Sequence, residues 1–222
     1  MISKKHKVAS AAFTAVATAG LTGFGAGAAN AASGPWTVTP GGTFHAHNIT
    51  PAVLVDHTKS THPSINCPVS TVHVTGTAKT GGGLSGKSLA AISNATFGSI
   101  SPASHQCTGP AGLHFTAHGS QYPWHLNAVS STAGTVFGTI TGIHAVVVST
   151  GGICSFHVSG AVSASYTNPT SKNPKGTLKV ISGSGLTIKS VHNCLNVVSN
   201  GDLAGFHGSF SVFSNAQTIT HS

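Results

Sequence analysis

Glutamate and arginine are absent from the sequence, and its only acidic residues are Asp56 and Asp202. Charged residues make up 5% of the 222 residues, whereas hydrophobic residues make up 39%. Disordered chains combine many charges with low hydrophobicity, so this composition predicts a folded protein. The absence of glutamate also excludes an H-E-x-x-H zinc-protease motif.

With only two carboxylates, the chain can support few catalytic mechanisms that use acidic residues. Glycoside hydrolysis usually needs two carboxyl groups flanking the scissile bond, so Asp56 and Asp202 would both have to serve. An ion-pair or turn role is favoured for each, and Asp202 directly follows a turn-forming Asn-Gly pair. The sequence also lacks a G-x-S-x-G nucleophile elbow, although serine and histidine are abundant. We therefore predict a protein without catalytic activity, with a secreted hydrolase as the less favoured alternative.

The first 31 residues are interpreted as a cleaved signal peptide. Three lysines precede a weakly apolar stretch at residues 8–28, and Ala29-Asn30-Ala31 has the small-x-small form of a signal-peptidase site. A transmembrane anchor is the alternative, but it would need about 20 apolar residues, and four glycines weaken this stretch. Because there is no Arg-Arg pair, the general secretion route is favoured over twin-arginine export. We expect an extracellular protein with no membrane attachment after cleavage.

The remaining residues, 32–222, are enough for a single domain with a proper core. They carry seven lysines and two aspartates, which gives a formal charge of +5 when histidine is neutral. The lysines are scattered, and no arginine can make bidentate contacts with phosphate or guanine, so nucleic acid is not expected as a partner. The positive charge is interpreted as a source of solubility.

The four cysteines predict two disulfides in an exported chain. Cys67 and Cys107 are separated by 40 positions, and so are Cys154 and Cys194. These equal separations favour sequential pairing, and each bond would stabilise the fold by roughly 4 kcal/mol in the chain-entropy model. Zinc–thiolate binding is the alternative, but no C-x-x-C motif is present.

The equal cysteine spacing is one of several features that recur along the chain. Residues 73–76 (HVTG) match residues 157–160 (HVSG) 84 positions later, and the two cysteine pairs are offset by 87. These offsets suggest two related halves, near 36–130 and 131–222. Coincidence is the alternative, because histidine, glycine, serine and valine are all frequent here.

Alternating apolar and polar residues predict strands almost throughout, and no convincing helical periodicity follows the signal peptide. The glycines at 81–83 and the Asn-Gly pair at 200–201 are interpreted as turns or loops. Many short strands separated by turns predict an all-β fold, either an antiparallel β-sandwich or a barrel. The predicted strands are residues 70–79, 112–119, 122–129, 135–149, 154–166, 176–181, 186–192 and 205–213.

Several short motifs resemble a group of small exported β-rich proteins of actinobacteria. They are residues 35–42 (PWTVTPGG), residues 138–143 (GTITGI), the cysteine frame, and residues 200–202 (NGD) shortly before residues 206–209 (FHGS). The resemblance covers most of the mature chain and implies export, two disulfides and a β fold. It carries over no catalytic residue, and this sequence departs from the group in its histidine content.

Histidine is the unusual component, with 15 residues. Six histidines have the opposite parity to their apolar neighbours, which places them on the polar faces of strands: His73, His114, His125, His144, His157 and His207. The simplest interpretation is that they are solvated strand residues. Metal binding is the alternative, because His45 with His47, and His114 with His118, would share a strand face, and imidazole suits zinc or copper.

Two functional hypotheses remain besides the hydrolase. One is a secreted structural or ligand-binding β-scaffold, with Trp36, Tyr122 and Trp124 as ligand contacts, although alternation also fits a core position for them. The other is an extracellular protein that binds a transition metal through histidine. Histidine protonates near pH 6.5, so we also expect acidification to strengthen binding to an anionic cell-wall or surface polymer.

Overall fold

The computed structural model describes residues 34–99, 101–181 and 183–222. The predicted signal peptide lies outside these residues. All strand pairings are antiparallel, and two short 3-10 helices, Ala103–His105 and Pro110–Gly112, interrupt the strands. The strands are β1 (Trp36–Thr39), β2 (Gly42–Asn48), β3 (Ala52–Asp56), β4 (Ser64–Cys67), β5 (Val72–Ala78), β6 (Gly81–Leu84), β7 (Ala90–Phe97), β8 (Cys107–Thr108), β9 (His114–Gly119), β10 (Trp124–Thr132), β11 (Thr135–Ser149), β12 (Ser155–Thr167), β13 (Gly176–Ile181), β14 (Leu186–His192), β15 (Leu203–Phe213) and β16 (Thr218–His221).

The all-β prediction is confirmed, and β11, β13 and β14 begin and end at the predicted residues. The turn predicted at residues 81–83 is wrong, because these glycines begin β6 and pair with β1. Glycine has no side chain to alternate between faces, so a strand built from it gives no periodic signal. Among the described residues, no helix is long and apolar enough to cross a membrane.

The main sheet closes on itself. The pairings run from β2 through β5, β7, β10, β11, β12, β13 and β15, and β15 pairs again with β2. A second closed path passes through β3, β4, β8, β9, β11, β12, β14 and β15. Both paths use the long strands β11, β12 and β15. This connectivity is that of a barrel, and closure leaves few unpaired strand edges.

The interior of the closed sheet is apolar and nearly filled. Phe115 and Phe156 are 1% exposed, and a void of about 100 Å³ remains among side chains such as Ile140, Phe206 and Phe210. The small sheet of β16, β1 and β6 covers one end, where Trp36 and Val38 are fully buried. Each inward residue alternates with an outward one, so the apolar core also determines which side chains face solvent.

Both disulfides have the predicted sequential pairing, Cys67–Cys107 and Cys154–Cys194. The first joins β4 to β8, two short strands of the second closed path. The second joins the turn between β11 and β12 to the segment that follows β14. All four cysteines are buried, so the bonds link peripheral segments to the core.

Candidate binding surface

Three of the histidines with opposite parity face solvent, as their alternation predicts, whereas His125 and His207 each have a buried Nδ1. His73, His114 and His157 are exposed, and the other three are partly exposed. The residues on either side of His73, Val72 and Val74, are both buried. The outward position follows from register, since the neighbouring apolar side chains fill the interior.

Two of these six, His73 and His157, lie on one line across the sheet with two further histidines on outer strand faces, His47 and His118. We call these four, with Lys189 at one end, the histidine row. Along the cross-strand register the order is His47, His73, Thr96, His118, Val146, His157 and Lys189, so Thr96 and Val146 are the two side chains that separate members of the row. The row crosses seven strands, so it extends over about 29 Å at the usual spacing of about 4.8 Å between strands.

The spacing within the row allows its histidines to be charged together. His73, His118 and His157 are each two strands apart, a separation of about 10 Å. Two unit charges in water repel by only about 0.4 kcal/mol at that distance, and physiological salt screens them further. The row can therefore carry several positive charges at once.

The proposed metal pairs differ in geometry. His45 and His47 share the outer face of β2, where the His47 ring lies 5.2 Å from the ring of Phe213. His114 and His118 also share a face of β9, but four residues of strand separate them by about 13 Å, too far for one metal ion. Across residues 34–99, 101–181 and 183–222, no three His, Cys, Asp or Glu side chains are grouped closely enough to hold a metal.

Both carboxylates have the turn and ion-pair roles that the sequence favours. Asp56 Oδ1 accepts hydrogen bonds from the backbone N–H groups of Thr58 and Lys59, at 2.8 and 3.2 Å. Asp202 Oδ2 accepts from the Ser199 N–H at 2.6 Å and lies 3.6 Å from Lys59 Nζ. Asp56 is 2% exposed and Asp202 5%, so both side chains are withdrawn from the surface.

The sequence did not reveal that these two carboxyl groups meet. Asp56 ends β3 and Asp202 immediately precedes β15, and the two strands pair so that Asp56 lies opposite Ala204. Asp56 Oδ2 is buried and has no hydrogen-bond donor among the described residues. Burial raises the pKa of Asp56, the adjacent Asp202 carboxyl contributes to the rise, and the N–H groups of Thr58 and Lys59 oppose it. We call Asp56, Asp202 and Lys59 the buried acidic cluster.

The buried acidic cluster contains one contact that resembles a nucleophile pair. Lys59 Nζ lies 2.6 Å from Ser199 Oγ, and serine–lysine pairs act as nucleophile and base in some hydrolases. Here the ammonium also lies 3.6 Å from Asp202 Oδ2, as an ion pair. Lys59 is therefore placed to donate to Ser199, and we interpret the contact as one that joins the loop after β3 to the segment before β15.

Burial of both carboxylates leaves a surface of one sign. Six of the seven lysines in residues 34–222 are exposed, and the seventh, Lys59, belongs to the buried acidic cluster. The chain has no other acidic residue, so no carboxylate side chain is exposed in the described ranges. A polyanion at the histidine row would meet no side chain of its own charge.

The aromatic residues suggested as ligand contacts pack in or against the core, the alternative position that their alternation also fits. Trp36 is completely buried, and Trp124 is 5% exposed. Tyr122 is half-buried, and its hydroxyl accepts a hydrogen bond from the Ala95 N–H at 2.6 Å. Strand alternation directs the two tryptophan rings inward, and they have little surface with which to contact a ligand from outside.

No protein family model, curated protein or solved structure matches this chain. The fold and the disulfides define it as a disulfide-linked, all-β protein with a closed antiparallel sheet. The resemblance to actinobacterial exported proteins stays a prediction.

Proposed function

We propose that this protein is a secreted, non-catalytic β-scaffold that binds anionic polymers or surfaces outside the cell, and binds them more tightly as the pH falls. The observation that supports this proposal is the histidine row, which lies on an outer face where the described residues expose no carboxylate side chain. The predicted signal peptide and the two disulfides fit an extracellular location.

The pH dependence follows from the types of residue on that surface. Lysine is charged throughout the physiological range, so the six exposed lysines give a weak, constant attraction to polyanions. Histidine gains its charge between about pH 7.5 and pH 5.5. Protonation of the histidine row concentrates positive charge along one line, and a polymer bound there releases its condensed counterions. Binding therefore strengthens on acidification and weakens as salt is added.

The test is adsorption to phosphocellulose, with uncharged cellulose as the reference matrix, at low salt and at about pH 7.5 and pH 5.5. We expect stronger adsorption at the lower pH with an unchanged circular dichroism spectrum. Equal adsorption at both pH values would contradict the proposal. Loss of the β spectrum on acidification, with adsorption only by the unfolded chain, would also contradict it.

A matched pair of triple variants separates the row from net charge. One replaces His73, His118 and His157 with glutamine, and the other replaces His62, His105 and His114, which are exposed and lie outside the row. Both lose the same number of protonatable groups. We expect the first variant to lose most of the pH-dependent adsorption and the second to keep it. Equal losses would show that total charge, and not the histidine row, causes binding.

A further inference from the structure

Two members of the histidine row face each other directly. His47 on β2 and His73 on β5 are cross-strand partners, and the residues beside them, Ala46, Val72 and Val74, are buried. Both imidazoles therefore lie on the outer face. The Cβ atoms of directly opposed residues in an antiparallel pair are about 4.5–5.5 Å apart. Elsewhere in the row Thr96 or Val146 separates successive histidines, so His47 and His73 are the two members of the row that oppose each other directly.

Such a pair suits one metal ion. Zinc binds imidazole nitrogen at about 2.0–2.1 Å, so two ligand nitrogens on one ion lie about 3 Å apart. Imidazoles on Cβ atoms about 5 Å apart can reach that separation by side-chain rotation, without movement of the backbone. The His47 ring packs 5.2 Å from the ring of Phe213 on β15, on the opposite side of β2, so metal binding requires it to turn toward β5. The direct cross-strand opposition of the two imidazoles therefore suits a shared cation.

A third imidazole lies near the pair. His45 is two residues before His47 on the same face, and its Nδ1 lies 3.2 Å from the hydroxyl of Thr75, its cross-strand neighbour. A residue diagonal to His73 has its Cβ about 7–8 Å away and His45 already contacts Thr75, so the site consists of two imidazoles. No carboxylate is available, because Asp56 and Asp202 are both buried together elsewhere. An all-imidazole ligand set selects copper, nickel or zinc over magnesium or calcium.

We infer that His47 and His73 form a bidentate transition-metal site on the outer face of β2 and β5, with water in the remaining positions. Cu²⁺ is expected to bind most tightly, in line with the general order of divalent metal affinities. This inference goes beyond the proposed binding of anionic polymers, since it concerns a different ligand and needs only one end of the row.

The test is a titration of the purified protein with Cu²⁺ and, separately, Zn²⁺ at about pH 7.5, where histidine is mostly neutral. His73→Gln is the main variant and His118→Gln is its matched control. The control residue is another exposed member of the row, but its cross-strand neighbours are Thr96 and Val146. We expect His73→Gln to weaken the affinity of the tightest Cu²⁺ site by at least about tenfold. Loss of a residue that only contacts a metal ligand can already cause a loss of this size, so loss of the ligand itself should cause at least as much. The control should bind as the parent does.

Two further measurements define the outcome. His47→Gln should weaken the same site as much as His73→Gln, and the double variant should add little, because either change removes the chelate. Cu²⁺ is paramagnetic, so it should broaden the imidazole resonances of His47 and His73 before those of other histidines. Unchanged tight binding in the double variant, or an equal loss in His118→Gln, would overturn the inference. Adsorption of His47→Gln to phosphocellulose at low pH is measured separately. A variant that loses the Cu²⁺ site but still adsorbs at low pH shows that metal binding and polymer binding are independent properties.

Discussion

The two carboxylates of this protein are buried, whereas the histidine row lies on the outer face of the sheet. Asp56 and Asp202 are 2% and 5% exposed and interact with backbone N–H groups, with each other and with Lys59. The histidine row faces solvent on the outside of the closed sheet. A buried charge is costly unless hydrogen bonds and an opposite charge compensate it, whereas an exposed imidazole needs no partner. Stability should therefore be sensitive to the acids, and binding to the histidines.

The largest expected effect comes from removing the central carboxylate of the buried acidic cluster. Asp202→Ala leaves the Ser199 N–H without its acceptor and Lys59 without its ion pair. We expect a loss of about 2–3 kcal/mol in the free energy of unfolding, a value reduced because Lys59 is partly exposed to solvent. Denaturant unfolding near neutral pH measures it. A loss below about 1 kcal/mol would mean that the cluster contributes little to stability.

Replacing the other carboxylate, Asp56, is expected to have a smaller effect on the free energy of unfolding, and in the stabilising direction. Folding raises the pKa of Asp56 above its ordinary value of 3.8, so between pH 3.8 and the folded-state pKa the native state retains a proton that the unfolded chain has released. The resulting stabilisation is complete below pH 3.8 and is lost as the pH rises through the folded-state pKa. Asp56→Asn removes this dependence, and its amide can donate to Asp202.

We therefore expect Asp56→Asn to be as stable as the parent near neutral pH, or more stable by up to about 1 kcal/mol. The measurement is the free energy of unfolding of both proteins between acidic and neutral pH. The difference should grow in favour of the variant as the pH rises. A variant that is less stable at neutral pH and shows the parent's pH dependence would contradict a raised pKa at Asp56.

The smallest effect on stability is expected for the histidine row. Replacing His73, His118 and His157 with glutamine should change the free energy of unfolding by less than about 0.5 kcal/mol, as is usual for surface substitutions. The same denaturant measurement as for Asp202→Ala makes the two directly comparable. A loss as large as that of Asp202→Ala would show that the row supports the fold.

The sequence was sufficient to predict features that follow from local patterns of residues. It was not sufficient to predict contacts that depend on how distant strands pair. Alternation placed His73 on an outer face, and the equal cysteine spacing predicted the disulfides. The opposition of His47 and His73 depends on how β2 pairs with β5, and a shift of one residue would separate them. Likewise, Asp56 and Asp202 are 146 positions apart in sequence, and only the pairing of β3 with β15 brings them together.

The most direct test of the account is to follow the individual histidine resonances by NMR as inorganic polyphosphate is added at about pH 5.5 and low salt. If the histidine row is the binding surface, the imidazole signals of His73, His118 and His157 should shift together at the lowest polymer concentrations. The signals of His62, His105 and His114 should shift less, and added salt should reverse all changes. Equal shifts in both sets, or shifts confined to histidines outside the row, would contradict the account.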